Sequence, residues 1–236
     1  MHSYIILSLI IAATAWAATP AAAQNAKRYE IKVNDFKHLE VDNSIKVDYY
    51  ACADSAGYIV FEATPDLASR LYIRDNGKGK VDIQCCADCS EGMEFPVVKA
   101  YSKQLNKIVN SGDSLVTVNN NPEVEKFAAV LIGNGALSVR DVQATEINGK
   151  IASGNGQLSI DGACTKGKLS IIGTGTINAD RLRAVEVYTS LTGTGTIGCC
   201  PSEVLSIQGL GRGKVLYRQE PHVIKDRSLG HKHEAM

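Results

Sequence analysis

Two aspartates recur at one point of an internal repeat, and the chemistry open to them poses the first question. Asp161 and Asp180 each fall seven residues after a glycine that opens a Gly-x-Gly triplet, with Arg140, Asp141 and Arg181 close by in the same phase. Paired carboxylates beside guanidinium groups suit a polysaccharide lyase or hydrolase, or a Ca²⁺ site. The same residues serve equally well as solvated turn charges, whose surface ion pairs stabilise by under ~1 kcal/mol. Sugar-cleaving clefts also stack their substrate on aromatic rings. Here the only tryptophan is Trp16, in an N-terminal apolar stretch, and Tyr188 is the lone aromatic of the central repeats. The residue types therefore favour a non-enzymatic chain with no catalytic group, cofactor or metal.

Seven cysteines are the next candidates: Cys52, the cluster Cys85, Cys86 and Cys89, the single Cys164, and the adjacent Cys199 and Cys200. A zinc site built on the cluster would need a second Cys or His pair at a defined distance, and none follows. In an oxidising compartment disulfides are the default. Cys52, Cys85, Cys86 and Cys89 are the candidates for at least one bridge, and Cys85 and Cys86 point to opposite faces of a strand. An odd count leaves at least one thiol unpaired within the chain or bridged to another chain. His222, His231 and His233 could bind a metal, but the polar end of the chain reads more simply as a disordered tail.

These residues must be positioned by elements, and the start of the chain bears on where they work. Met1 to Ala23 runs through an apolar core, Ile5 to Ala18, to Ala21-Ala22-Ala23. That order is expected of a secretory signal, too short to span a bilayer, although its start offers His2 and no Lys or Arg. No Cys occurs before Cys52, so a lipid anchor at the cleavage point is not expected. No second apolar run reaches bilayer length, so no transmembrane segment is expected. The 25 basic and 25 acidic residues balance, which disfavours nucleic acid as a partner. Export to the periplasm, the outer-membrane surface or the extracellular medium is the expectation.

The deciding pattern is a period of about 20 residues. Gly-x-Gly recurs at Gly133 and Gly135, Gly154 and Gly156, Gly173 and Gly175, Gly193 and Gly195, and Gly211 and Gly213, after a degenerate copy at Gly112. Four and six positions after each first glycine stand apolar residues: Val116 and Val118, Leu137 and Val139, Leu158 and Ile160, Ile177 and Ala179, Ile197 and Cys199, Val215 and Tyr217. Thr117, Ser138, Ser159 and Asn178 alternate with them and are expected to face outward. Period-two alternation restarting every coil predicts an all-β fold, a right-handed parallel β-helix. Both glycines of each triplet are expected to face inward at a tight corner, with the residue between them on the surface. None of the triplets has the third glycine of a dinucleotide loop or the Gly-Lys-Ser/Thr of a phosphate loop.

Residues 29–98 alternate without the period, at Tyr29–Val33, Leu39–Tyr49, Tyr58–Glu62, Leu71–Arg74 and Lys80–Gln84. Asp75-Asn76-Gly77 marks a hairpin turn, and Thr64-Pro65-Asp66 a short helix start. The organisation expected is a signal peptide over 1–23, a β-rich cap over 24–98, a parallel β-helix over 99–217, and a closing segment and tail over 218–236.

Three segments carry a family likeness: Phe36 to Val41; Val97 to Tyr101 through Leu105 to Ser111-Gly112; and Gly211 to Tyr217 with Glu220-Pro221. With the Gly-x-Gly coils they resemble the head GIN domain family of Gram-negative bacteria, named for auto-transporter adhesins. The resemblance implies a β-helical fold and a cell-envelope location, and it carries over no catalytic residue. The function expected is a non-catalytic binding or adhesion module for a glycan or an envelope protein. The alternative is a polysaccharide-active enzyme around Asp161 and Asp180.

Overall fold

The computed structural model describes residues 26–86 and 95–236. The expected signal segment with Trp16, and Cys89, lie outside the described residues.

The periodic part is a β-solenoid. Four long strands, β11 (Ala136–Ser153), β12 (Gln157–Gly173), β13 (Thr176–Gly193) and β14 (Thr196–Gly211), lie parallel, each shifted one coil from the last. Ala136, Gln157, Thr176 and Thr196 stand opposite one another in successive coils, as do Ile151, Ile171, Leu191 and Gly209. All twelve apolar positions expected inside are buried, from Val116 to Tyr217. Of the residues alternating with them, Ser138, Ser159 and Asn178 are half-buried on the outer side. Thr117 departs from its expected exposure at only 4%, shut between Asp48 and Ser138 on the neighbouring strands.

The segment ahead of the period contributes coils as well as a cap. Its strands are β1 (Lys27–Lys32), β2 (His38–Val41), β3 (Val47–Ala51), β4 (Tyr58–Ala63), β5 (Leu71–Asp75), β6 (Lys80–Cys85), β7 (Val98–Ser102), β8 (Lys107–Asn110) and β9 (Leu115–Val118). β2 pairs in parallel with β6 on one side and β8 on the other, and β3 likewise with β7 and β9. The coil formed by β2 and β3 is therefore sandwiched, with the later β6 and β7 stacked outside it. The excursion through β4, the helix α1 (Pro65–Ser69) and β5 lets the chain reverse the stacking order. Antiparallel strands then close the end: β1 on β4, β4 on β7, and β5 on β6. They cover an edge that a bare coil would leave unpaired.

Local chemistry explains the details. Thr64 caps α1 by accepting from the Leu67 N–H at 3.4 Å, with Pro65 in the first turn. In the β5–β6 hairpin, Asp75 accepts from Gly77 N and Asn76 from Lys80 N. The run Asn119-Asn120-Asn121 stands in for backbone: the Asn120 amide bonds both polar groups of Ala51, and the Asn121 amide both of Leu105.

The end of the chain corrects the expected disordered tail. β10 (Val124–Ile132) joins β8 to β11, and after β14 come β15 (Lys214–Tyr217), β16 (Val223–Leu229) and β17 (Lys232–Ala235). β16 adds in parallel to β14 and β17 to β15, so the chain winds one more coil. Gly230, at φ +89°, packs on the Gly211 carbonyl much as Gly211 packs on that of Gly193. His231 stands where the second glycine of the triplet would fall. Its Nδ1 accepts from Gly213 N at 3.0 Å, and its Nε2 lies 2.8 Å from the Leu191 carbonyl, a bond that needs the proton on Nε2.

Candidate functional site

The acidic corner does not assemble into a ladder. The register between β12 and β13 breaks between Ser159 and Gly162, where two residues of one coil face three of the next. Asp161 and Asp180 sit in that break. Asp180 pairs instead with Arg218 Nη1 at 3.2 Å, and Arg140 donates to the Asn119 side-chain oxygen at 3.4 Å. Asp141 takes a left-handed backbone at φ +49° and accepts from Gln143, which marks it as a corner residue. Arg140 and Arg181 are exposed. Among the described residues no group of three or more His, Cys, Asp or Glu is placed to hold a metal.

The two glycines of each triplet do different jobs. The first glycines, from Gly133 to Gly211, have φ between +89° and +139° and are not buried. A Cβ on Gly154, Gly173, Gly193 or Gly211 would fall within 2.8 Å of a carbonyl oxygen one coil back. They face the neighbouring coil rather than the interior. The second glycines are buried and point inward: a Cβ on Gly175 would lie 2.9 Å from Ile151 Cδ1 and 2.8 Å from the Gly156 carbonyl. Between them Asp113, Asn134, Asn155, Thr174, Thr194 and Arg212 form an exposed column, in which Asn155 N donates to the Asn134 side chain at 3.2 Å.

The cysteines do not form the expected bridge among the described residues. Cys52 and Cys85 are thiols, as are Cys164, Cys199 and Cys200. Cys52 follows the far end of β3, bonded to Ser102, whereas Cys85 sits at the β2–β3 corner, its N–H on Asn43. The length of β3, five residues or about 16 Å, separates the two places, beyond the reach of a disulfide. The histidines are likewise dispersed: His222 pairs with Glu203 at 2.7 Å, His233 with Asp226 at 3.1 Å, and His231 with backbone.

The outer face of the N-terminal coils gathers residues that sequence order keeps apart. Tyr58, Tyr101 and Tyr50, on β4, β7 and β3, stand in one register row, with Lys32 of β1 at its end. The Tyr50 and Tyr101 rings stack at 5.6 Å with 21° between their planes. The next row is Glu30, Val60, Lys99 and Asp48, and beyond it lie Arg28 and Glu62. An open groove of about 500 Å³ runs here, lined by Arg28, Val60, Glu62, Val97, Lys99 and Tyr101. A second, of about 360 Å³, lies on the central coils between Lys168, Tyr188 and Gln208. There Lys166 covers the Tyr188 ring at 5.1 Å, the Tyr188 hydroxyl donates to Glu186 at 2.8 Å, and Lys168 pairs with Glu146 at 2.8 Å. The tyrosine row was hidden in the sequence because it needs the pairing of strands distant in the chain; alternation alone marks each tyrosine as outward.

The sequence that folds into these coils is matched by a family profile. The profile described as "putative auto-transporter adhesin, head GIN domain" covers residues 35–221. The chain belongs to the head GIN domain family. Among solved structures, this head GIN domain resembles one named a putative adhesin from Bacteroides fragilis, with TM-score 0.79 and 16% identity over 91% of this chain and 98% of that one. A second, a putative adhesin from Parabacteroides distasonis, gives TM-score 0.71 and 20% identity over 91% and 98%. A third, from the same species and named a putative lipid binding protein, gives 0.66 and 17% over 90% and 95%. At these identities the likeness is one of fold. No curated protein matches the chain. No helix among the described residues is long and apolar enough to cross a membrane.

Proposed function

We propose that this head GIN domain is a non-catalytic adhesion module of the bacterial cell envelope, exported and presenting the outer faces of its solenoid to a glycan or an envelope protein. One observation carries the reading: Asp161 and Asp180, the acidic residues best placed for catalysis, fall in a register break, and Asp180 is paired with Arg218, while the outer faces offer wide rows and shallow grooves. Rigid parallel coils hold such rows fixed, so little ordering cost is added on binding. The adhesin description of the family supports the role and the envelope location. The apolar N-terminal stretch, read as an export signal, agrees with it.

The test is retention. Beads coated with the purified chain should hold to envelope preparations of Gram-negative bacteria, and excess soluble chain should release them. Beads that wash off like uncoated controls would contradict the reading.

A further inference from the structure

We propose that the outer face of β3, β7 and β4 binds an uncharged oligosaccharide, with Tyr50 and Tyr101 stacking against the apolar face of a sugar ring and Glu62, Lys99 and Arg28 binding its hydroxyls. This rests on the reading as a binding module and narrows its partner to a glycan. Three observations converge. First, Tyr50, Tyr58 and Tyr101 present a row of outward rings at strand spacing, and their hydroxyls make no hydrogen bond among the described residues. Partly exposed and engaged with no protein group among the described residues, these phenols can donate to and accept from a ligand hydroxyl in place of water.

Second, the groove beside the row combines apolar Val60 and Val97 with charged side chains of both signs. Only Arg28 is engaged there, with Glu30 at 2.7 Å; Lys99, Glu62 and Asp48 enter no ion pair among the described residues. Interleaved charges repel part of any polyanion or polycation. They match a polyol, whose hydroxyls donate to carboxylates and accept from ammonium and guanidinium groups. Third, the comparison within the molecule is telling. The groove at Tyr188 also has a tyrosine, but its ring is covered by Lys166 and its hydroxyl is spent on Glu186. At Tyr188 both the ring and the hydroxyl are engaged by charged neighbours, whereas at Tyr101 the ring meets only Tyr50 and the hydroxyl makes no hydrogen bond among the described residues.

The experiment measures binding of the full chain to labelled cello-, manno- and galacto-oligosaccharides, with an oligogalacturonate as the acidic arm. At least one neutral oligosaccharide should bind. Tyr101→Ala and Tyr50→Ala should each weaken it about tenfold or more, and Tyr188→Ala should leave it unchanged. Tyr101→Phe should keep most of the stacking. Should an alanine variant fail to fold, the exposed Glu62→Gln and Lys99→Gln must show the loss instead. Binding of an envelope protein but of no oligosaccharide would overturn the site and leave the binding-module reading standing. Binding of the acidic arm alone, or equal loss in Tyr188→Ala, would overturn the site as well. Cleavage of any oligosaccharide would overturn the broader reading.

Discussion

His38 shows how a single residue ties the first coils to pH. Its Nε2 is buried without a hydrogen-bond partner, in a cluster where Lys80 of β6 and Lys107 of β8 flank it in register. Glu40 and Asp82 complete the group, each within 2.8 Å of Lys80 Nζ. Burial, then Lys107 and Lys80, hold the imidazole below its usual 6.5, against the opposing pull of the carboxylates. The unfolded chain therefore binds the proton more readily than the folded one. This contribution to stability is full above about pH 6.5 and is lost as pH falls through the lower folded value. Between pH ~7 and ~5 the wild type should lose more stability than His38→Gln in denaturant titrations; equal losses would show that the site is not as dry as the structure has it. The thiols divide similarly. Hydrogen bonds with Ser55 lower the Cys52 thiol, whereas burial pushes Cys164 up to about 11 and Cys199 up to about 12. In the reduced, folded protein near pH ~8, iodoacetamide should label Cys52 first and spare Cys164 and Cys199 until the chain unfolds, as peptide mass spectrometry would read.

At the scale of a coil, the Gly-x-Gly triplet and the two apolar positions behind it are the unit that stacks. Gly175→Val drives a branched side chain against Ile151 and the Gly156 carbonyl, and should cost about 1–3 kcal/mol in equilibrium denaturation. Thr174→Ser, one residue away on the exposed column, should stay within about 0.5 kcal/mol. Leu158, fully buried between Leu137 and Ile177, sets the core register. Leu158→Asp should cost at least the ~2–5 kcal/mol of a leucine truncation, and an unchanged melting temperature would contradict the register. These coils were legible because glycine, Leu158 and their counterparts return in phase. The first coils were not, because β2, β3, β6 and β7 are four to six residues long, have only Gly77-Lys78-Gly79 in the β5–β6 turn and no triplet in phase with the later repeat, and stack out of chain order. The last coil escaped notice for a smaller reason: His231 occupies the second glycine's place, and the triplet disappears from view.

The whole molecule is a stack with two unlike ends. Antiparallel strands close the first, while the second finishes on β16 and β17, edge strands carrying Lys225, Asp226, Arg227 and Lys232. Charges along an unpaired edge discourage further strands from adding. Between the ends run continuous outer rows, and the tyrosine row is the part of the candidate site that only three-dimensional pairing reveals. The sequence did mark Asp161 and Asp180 as equivalent by phase, but equivalence of phase is not contact where a corner gains a residue. The central claim is that these rows bind without cutting. The most direct measurement is a product assay on a panel of polysaccharides, neutral and acidic, with and without Ca²⁺, reading reducing ends and unsaturated products for the wild type and for the double variant Asp161→Asn, Asp180→Asn. The account predicts no products from either protein and an unchanged fold in the variant. Release of oligosaccharides by the wild type that disappears in the variant would contradict it.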